Sequence, residues 1–395
     1  MLGRAMQTGF SQNTNLVATL NGGQTFLANL ANPFPNGVLQ PPGASLGTAT
    51  NLGNAISFHD PRAKLPYDMH WNFNTQEMLP GQFLLEVGYH GSRTVRLYLS
   101  RNINSLPDSY LSTLPVRDQT TINYLSASIS NPLAGLLPGT SLNGATIGRS
   151  SLLVPFPEFG SITIKDPQGY SWFHALQVRL ERRFSHGFTT QVGYSFSKLM
   201  EAVAYLNAAD PFPYRTIASV DRPQKLTFSA IQEMPFGRGK PLWGGASRLT
   251  DRVIGGWQVG AIWTLVSGAM ADFGNVLPLN TNIVLPADQR SINQWFNINA
   301  FDRIAADQLA SNLRTFPLRF SSLRAPYTNS WDFSVLKKTK IYERYDFQFR
   351  AETFNGLNHA IFGLPGVSPT ASTFGVVTAT SLAARTIQMG FKLIF

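Results

Sequence analysis

This sequence predicts an all-β fold, part of an antiparallel up-and-down transmembrane β-barrel with nine or ten long strands. Three observations predict it. Apolar and polar residues alternate with a period of two over unusually long stretches, and apolar-out, polar-in alternation over about ten residues is how a barrel strand crosses a membrane. Charged residues make up only 14% of the 395, against 43% hydrophobic, whereas soluble domains carry roughly 25% charged residues. No apolar run approaches the roughly 18–20 residues of a transmembrane helix; the longest, Ala261 to Val266, is far shorter.

In chain order, the first strand sets Met69, Trp71 and Phe73 against His70, Asn72 and Asn74. The second sets Phe83, Leu85, Val87 and Tyr89 against Gln82, Glu86 and Gly88. Leu176, Val178 and Leu180 then alternate with Gln177, Arg179 and Glu181, and Phe188, Val192, Tyr194 and Phe196 with Thr189, Gln191, Gly193 and Ser195. Leu226, Phe228 and Ala230 mark a weaker fifth strand, and Trp257, Val259, Ala261, Trp263 and Leu265 a sixth. The seventh has Trp331, Phe333 and Val335 against Asp332 and Ser334; the eighth, Tyr345, Phe347, Phe349 and Ala351 against Asp346, Gln348, Arg350 and Glu352. The last sets Ile387, Met389, Phe391, Leu393 and Phe395 against Gln388, Gly390 and Lys392. A further partial strand is possible before Asn21, in a stretch, 1–64, that otherwise reads as a loop preceding the strand-rich 65–395.

Register follows from this pattern, because a slip of one residue exchanges the faces. Trp71, Phe83, Val192, Phe347 and Phe391 are expected to face lipid, and Gln177, Arg179, Gln348, Arg350 and Glu352 the lumen.

The connections sort into two kinds. Leu79-Pro80-Gly81, Ser185-His186-Gly187 and a turn at Lys337 to Lys340 are short; Pro235 to Ile254 is longer but Gly-rich and basic. Between them lie longer polar stretches at 101–170, 200–221, 273–326 and 355–383. Short turns on one side and long loops on the other are the pattern of bacterial outer-membrane barrels, so the outer membrane and its lipid are the expected surroundings. Three charges break the apolar faces, Glu77, Arg182 and Lys337, and all sit beside a short turn. There a long side chain can reach the headgroups. A β-sandwich core alternates in the same way, but its strands run about five or six residues and nothing sorts its loops by side.

Chemistry is sparse. The absence of cysteine excludes disulfides and thiolate metal sites. The net charge of +10 raises nucleic-acid binding, yet the basic residues are scattered singly, and arginines lining a polar lumen are the preferred reading. His59, His70, His90, His174, His186 and His359 show no metal-ligand spacing. Gly237-Arg238-Gly239-Lys240 lacks the leading glycine of a phosphate loop, with Pro241 where Ser or Thr belongs, and reads as a basic turn. Arg350 and Glu352 read as a lumen ion pair rather than an acid/base pair. No catalytic, cofactor-binding or metal residue is singled out, and the chain is not expected to be an enzyme.

Six stretches together carry a resemblance: Trp172-Phe173-His174-Ala175-Leu176-Gln177, Arg182-Arg183-Phe184-Ser185-His186-Gly187, Tyr194-Ser195-Phe196-Ser197-Lys198, Pro235-Phe236-Gly237-Arg238-Gly239-Lys240, Gly255-Gly256-Trp257-Gln258 and Phe349-Arg350-Ala351-Glu352-Thr353-Phe354-Asn355. Over nearly its whole length the chain resembles the β-barrel of Oar-like TonB-dependent transporters of the acidobacterial type. The resemblance implies a barrel of about 22 strands, a plug, a TonB-binding segment and a signal peptide. It also implies recognition by the barrel-assembly machinery through a last strand ending in Phe395. Nine or ten strands are too few, and Met1-Leu2-Gly3-Arg4-Ala5-Met6-Gln7 has no apolar signal region. The chain is therefore expected to begin inside the barrel, as a C-terminal fragment. Uptake of an unspecified substrate is the implied function; a structural or adhesive surface protein and a passive porin are the alternatives.

Overall fold

Nine long strands run up and down in chain order, each paired with the long strand before and after it. In the computed structural model, which describes residues 13–19, 22–41, 43–60, 64–342 and 345–395, they are β1 (Tyr67–Leu79), β2 (Phe83–Asn102), β3 (Ile162–Ser185), β4 (Phe188–Ala202), β5 (Gln224–Glu233), β6 (Trp257–Val266), β7 (Thr328–Tyr342), β8 (Tyr345–Phe354) and β9 (Thr386–Ile394). Each overlaps one of the nine stretches of alternation. Every pairing along the meander is antiparallel. β1 and β9 form the two ends, and among the described residues neither pairs with a further long strand. Met1–Gln7 lies outside the described residues, as does part of the strand expected before Asn21; Thr19 there makes an isolated bridge to Phe26. A short strand, Ile56–His59, joins β3 in parallel through Ile162 to Lys165.

The register builds two continuous faces. Phe349 stands opposite Phe391 and Lys337, Val335 opposite Val259, Trp263 opposite Phe228, and Phe228 opposite Val192. Val192 meets Leu180, Leu180 meets Leu85, and Tyr89 meets Phe73. This row carries Trp71, Phe83, Val192, Phe347 and Phe391 on one face. Gln177, Arg179, Gln348, Arg350 and Glu352 stand on the other, as the alternation predicts.

Two expectations change. The turn expected at Lys337–Lys340 is strand: Lys338 pairs with Gln348, Lys340 with Asp346, and the ladder runs on to Tyr342 opposite Tyr345. Lys338 and Lys340 alternate onto the polar face, where Lys338 lies 3.1 Å from the Asp346 carboxylate. A basic run is thus tolerated inside the strand; residues 343–344, between Tyr342 and Tyr345, lie outside the described residues. β2 and β3 are also longer than their alternation, at 20 and 24 residues. Pairing past Val95 shifts register twice, around Arg96 and around the step from Gly169 to Asp166. Pro167 falls in that second irregularity, where it removes no regular ladder bond. At Gly169 a Cβ would stand 2.8 Å from the Leu97 carbonyl oxygen, so glycine is required for the close approach.

The buried apolar core lies outside the long strands. Phe273, Val276, Ile283, Phe296, Phe301 and Phe316 of the connection between β6 and β7 pack with Phe374 of the connection between β8 and β9. Phe296 meets Phe273 and Phe374 edge-on, with ring centres 5.7 and 5.1 Å apart. The expectation of long polar loops is therefore corrected: their apolar residues follow no period of two because they pack as a small irregular core.

Candidate functional site

Antiparallel order puts the short turns after β1, β3 and β7 at one end, with the Pro235–Ile254 connection. The connections 103–161, 203–223, 267–327 and 355–385 emerge at the other. The faces and ends of this sheet define what the chain presents.

On the polar face, a cleft of about 340 Å³ is lined by Glu181 of β3, Gln191 of β4, Asp332 of β7 and Arg350 and Glu352 of β8. β3 and β8 are five pairing steps apart, about 24 Å in a flat sheet at roughly 4.8 Å per step. For one cleft to touch both, the sheet must curve with the polar face inside. Arg350 pairs with Glu352, whose carboxylate also accepts a hydrogen bond from Gln388 Nε2 at 2.7 Å. Arg179 pairs with Glu181 and approaches Glu86 at 3.9 Å. Asp332 Oδ1 accepts from the Asn355 backbone N–H at 2.8 Å. The result is a hydrophilic wall of compensated charges that water can wet.

At the loop end, arginines fasten the connections to this wall. Arg319 donates to Glu201 on the inner face of β4 at 2.7 Å and to the Ile217 carbonyl at 2.9 Å, and it also pairs with Asp272. Burial opposes its charge, but the hydrogen bonds it donates to the two carboxylates, with their negative charge, outweigh that and raise its pKa. Arg324 holds the Asp221 carboxylate at 2.5 Å, while Asp221 Oδ1 caps the Leu199 backbone N–H at 2.7 Å. Arg314 donates to the carbonyls of Phe273 and Phe316 at 2.6 and 2.9 Å. In the 103–161 connection, Asn104 bridges Phe156, Phe159 and Gly160. Asp108, close to Asp210, has its pKa raised first by burial and then by that second carboxylate. Tyr205, half-buried beside Asp166, is pushed up to about 12, first by the loss of water around it and then by the Asp166 carboxylate.

The outer face is the reverse: apolar and uncovered. Phe73 is 69% exposed, Phe196 53% and Phe391 69%, an expanse that a monomer in water does not leave bare. A family model for the outer membrane beta barrel domain matches residues 2–388. The chain belongs to that family.

For this barrel domain the bare face is the lipid-facing band and the bacterial outer membrane its location, while the polar cleft is the inner wall. No curated protein matches it. Among solved structures, the outer membrane transporter YddB from Escherichia coli matches at 9% identity and a TM-score of 0.45, covering 87% of this chain and 34% of that one. The FrpB iron transporter from Neisseria meningitidis matches at 11% identity and a TM-score of 0.38, over 85% and 32%. P. aeruginosa FpvA, bound to heterologous pyoverdines, matches at 9% identity and a TM-score of 0.34, over 83% and 27%. The barrel domain thus spans about a third of the length of the solved structures it matches.

The residues weighed in the sequence fall in separate places. His70 lies 2.7 Å from Asp68, His186 sits in the β3–β4 turn, and His174 stacks on Tyr89. Among the described residues, no three His, Asp or Glu side chains gather as a metal site. Gly237 to Lys240 forms the basic turn expected: the Arg238 backbone N–H donates to Asp251 at 2.6 Å and Lys240 meets Glu233 at 3.0 Å. The reading of the scattered arginines needs correction. Arg179 and Arg350 line the inner wall, but Arg314, Arg319 and Arg324 tie loops together. Arg182 faces outward beneath the rings of Phe83 and Phe188, with centroid distances of 5.7 and 5.4 Å. For Arg179, Arg350 and Arg182 the sequence carried a signal, their place in the alternation of a strand; for Arg314, Arg319 and Arg324 it carried none.

Proposed function

We propose that this barrel domain is the C-terminal part of an outer-membrane TonB-dependent receptor, Oar-like in type, that takes up a substrate across the outer membrane. The observation that carries this reading is the asymmetry between the two ends. The long connections are folded into a module that Arg319 fastens to Glu201 at the loop end of the inner wall, the same wall that carries the wettable polar cleft. Such a module offers a capture surface at the mouth of a polar passage. In this reading the long connections face the exterior and the short turns the periplasm, as in other outer-membrane barrels. A plug and a TonB-binding segment belong to the rest of the receptor, and the assembly machinery recognises the last strand through Phe395. The reading assigns the chain no catalytic reaction.

Uptake by cells producing the protein, with and without TonB, tests it. Uptake that is lost without TonB supports the receptor. Uptake that persists without TonB would make the protein a passive porin. Binding at the loop module with no uptake would make it an adhesive surface protein.

A further inference from the structure

Arginines and aromatic rings gather on the outward face of β1–β3, near the loop end. Trp71, Tyr89, Arg93, Trp172 and His174 share that face by register: Arg93 stands opposite Met69 and Trp172, and Tyr89 opposite Phe73 and Leu176. Tyr170 stacks on Trp172 with ring centres 5.7 Å apart, and Arg215, from the 203–223 connection, lies 4.4 Å from the Trp172 ring centre. The Tyr89 hydroxyl is 2.7 Å from His174 Nδ1. Trp71, Arg93, Tyr170, Trp172, His174 and Arg215 line one cleft of about 410 Å³.

A third guanidinium joins by an unusual route. Arg96 is the extra residue of a bulge between Val95 and Leu97, with φ at 60°. A non-glycine residue held there costs about 1–3 kcal/mol, and such outliers persist where the surroundings or a function require them. Its guanidinium lies 5.1 Å from the ring centre of Tyr67, beyond Trp71 on the same outward face.

Height decides what this cluster meets. Arg93 is ten residues along β2 from Phe83, about 33 Å of strand and, at a tilt near 40°, about 25 Å of height. That is the full depth of an outward apolar band, so the arginines lie at the far membrane interface and not in hydrocarbon. Stacking on aromatic rings fixes the guanidinium planes without neutralising them. Among the described residues, none of Arg93, Arg96 and Arg215 has a carboxylate within ion-pair distance. The chemical complement is a phosphate, which arginine grips with two parallel hydrogen bonds, carried by a molecule whose acyl chains can lie along Phe73, Val87 and Leu176. We infer that this cleft binds the phosphate-bearing headgroup of an outer-leaflet lipid. The inference rests on the loop end facing the exterior.

Two measurements test it separately. The chain has no cysteine, so a single cysteine at exposed Leu279, in the 267–327 connection, reports sidedness through an impermeant maleimide. Labelling on intact cells is expected; labelling only after rupture would overturn both the sidedness and the outer-leaflet site. The protein is then extracted from outer membranes in mild detergent, and retained lipid A is measured by its phosphate. Arg93→Gln with Arg215→Gln should lower retention roughly tenfold, as loss of charge-assisted contacts implies. Arg215→Gln alone, in a loop, should lower it less, Arg93→Lys with Arg215→Lys should retain an intermediate amount, and Arg238→Gln at the turn end should retain all of it. Equal retention in the wild type and the double glutamine variant, with Leu279→Cys labelled from outside, would overturn the lipid site alone. Displacement of the lipid by inorganic phosphate would also overturn it, because the cleft would then take the bare anion.

Discussion

The Lys337 ammonium lies 5.2 Å from the centre of the Trp257 ring, directly across the β6–β7 pairing. The same ammonium donates to the Gly255 carbonyl. This explains how a lysine survives on the lipid-facing side: its stem runs along apolar surface, its charge sits on an aromatic face, and a buried carbonyl accepts a hydrogen bond from it.

Lys337→Ala is therefore expected to destabilise the inserted protein by about 1–3 kcal/mol, the cost of leaving a buried carbonyl unsatisfied. Urea unfolding in vesicles measures it. A midpoint unchanged from wild type would mean that the contact contributes nothing.

Val192 faces lipid four residues above Phe188, about 10 Å up from the turn end on a tilted strand. Val192→Arg should cost about 2–4 kcal/mol near the bilayer midplane. Gln191→Arg, one residue away on the polar face, should cost little. Equal losses in the two variants would contradict the assignment of faces.

Sidedness predicts opposite labelling for two single cysteines. His186→Cys, in the β3–β4 turn, should react with an impermeant maleimide only after the envelope is ruptured, whereas Leu279→Cys should react on intact cells. Reaction of His186→Cys on intact cells would invert the orientation.

Phe296 is fully buried in the loop core. Phe296→Ala should cost that core about 3–5 kcal/mol and expose the 267–327 connection to protease while the strands keep their heat-resistant migration on gels. Simultaneous loss of both would show that loop core and sheet fold as one unit.

Asp108 holds its proton more tightly in the fold than in the unfolded chain, because its pKa is raised from the ordinary 3.8. The 103–161 connection is thus favoured with Asp108 protonated, and that advantage fades as pH climbs from 3.8 through the raised folded value. Asp108→Asn should keep the connection equally protease-resistant at pH 4 and pH 7, where the wild type weakens at the higher pH. A wild-type resistance that rises with pH would contradict the assignment.

The strands were legible because lipid imposes a strict rule on every second residue. Phe347 against Gln348, or Val192 against Gln191, gives the register without knowledge of any partner strand. The rule lapses where β2 and β3 leave the membrane. Beyond Val95 neither face meets hydrocarbon, so Ile162 to Gly169 carries no alternation, and pairing there depends on the bulge and on Gly169. The Lys337–Lys340 run is strand because Lys338 and Lys340 take the polar face, opposite Gln348 and Asp346, so its charges do not interrupt the alternation. The loop core was invisible for a different reason: Phe273, Phe296, Phe316 and Phe374 lie far apart in sequence and meet only in the fold. Arg319 and Glu201, 118 residues apart, could be paired by no local pattern.

Placing the buried core in the connections while the strands lean on lipid divides the chain into two materials with different solvents. The sheet answers to bilayer thickness and the phenylalanine core to water. A change in one therefore leaves the other's rules untouched. The loop module can be exchanged as a cassette between barrels of this family, provided that the graft carries Arg319 and Arg324 and the host keeps Glu201 and Asp221 to receive them.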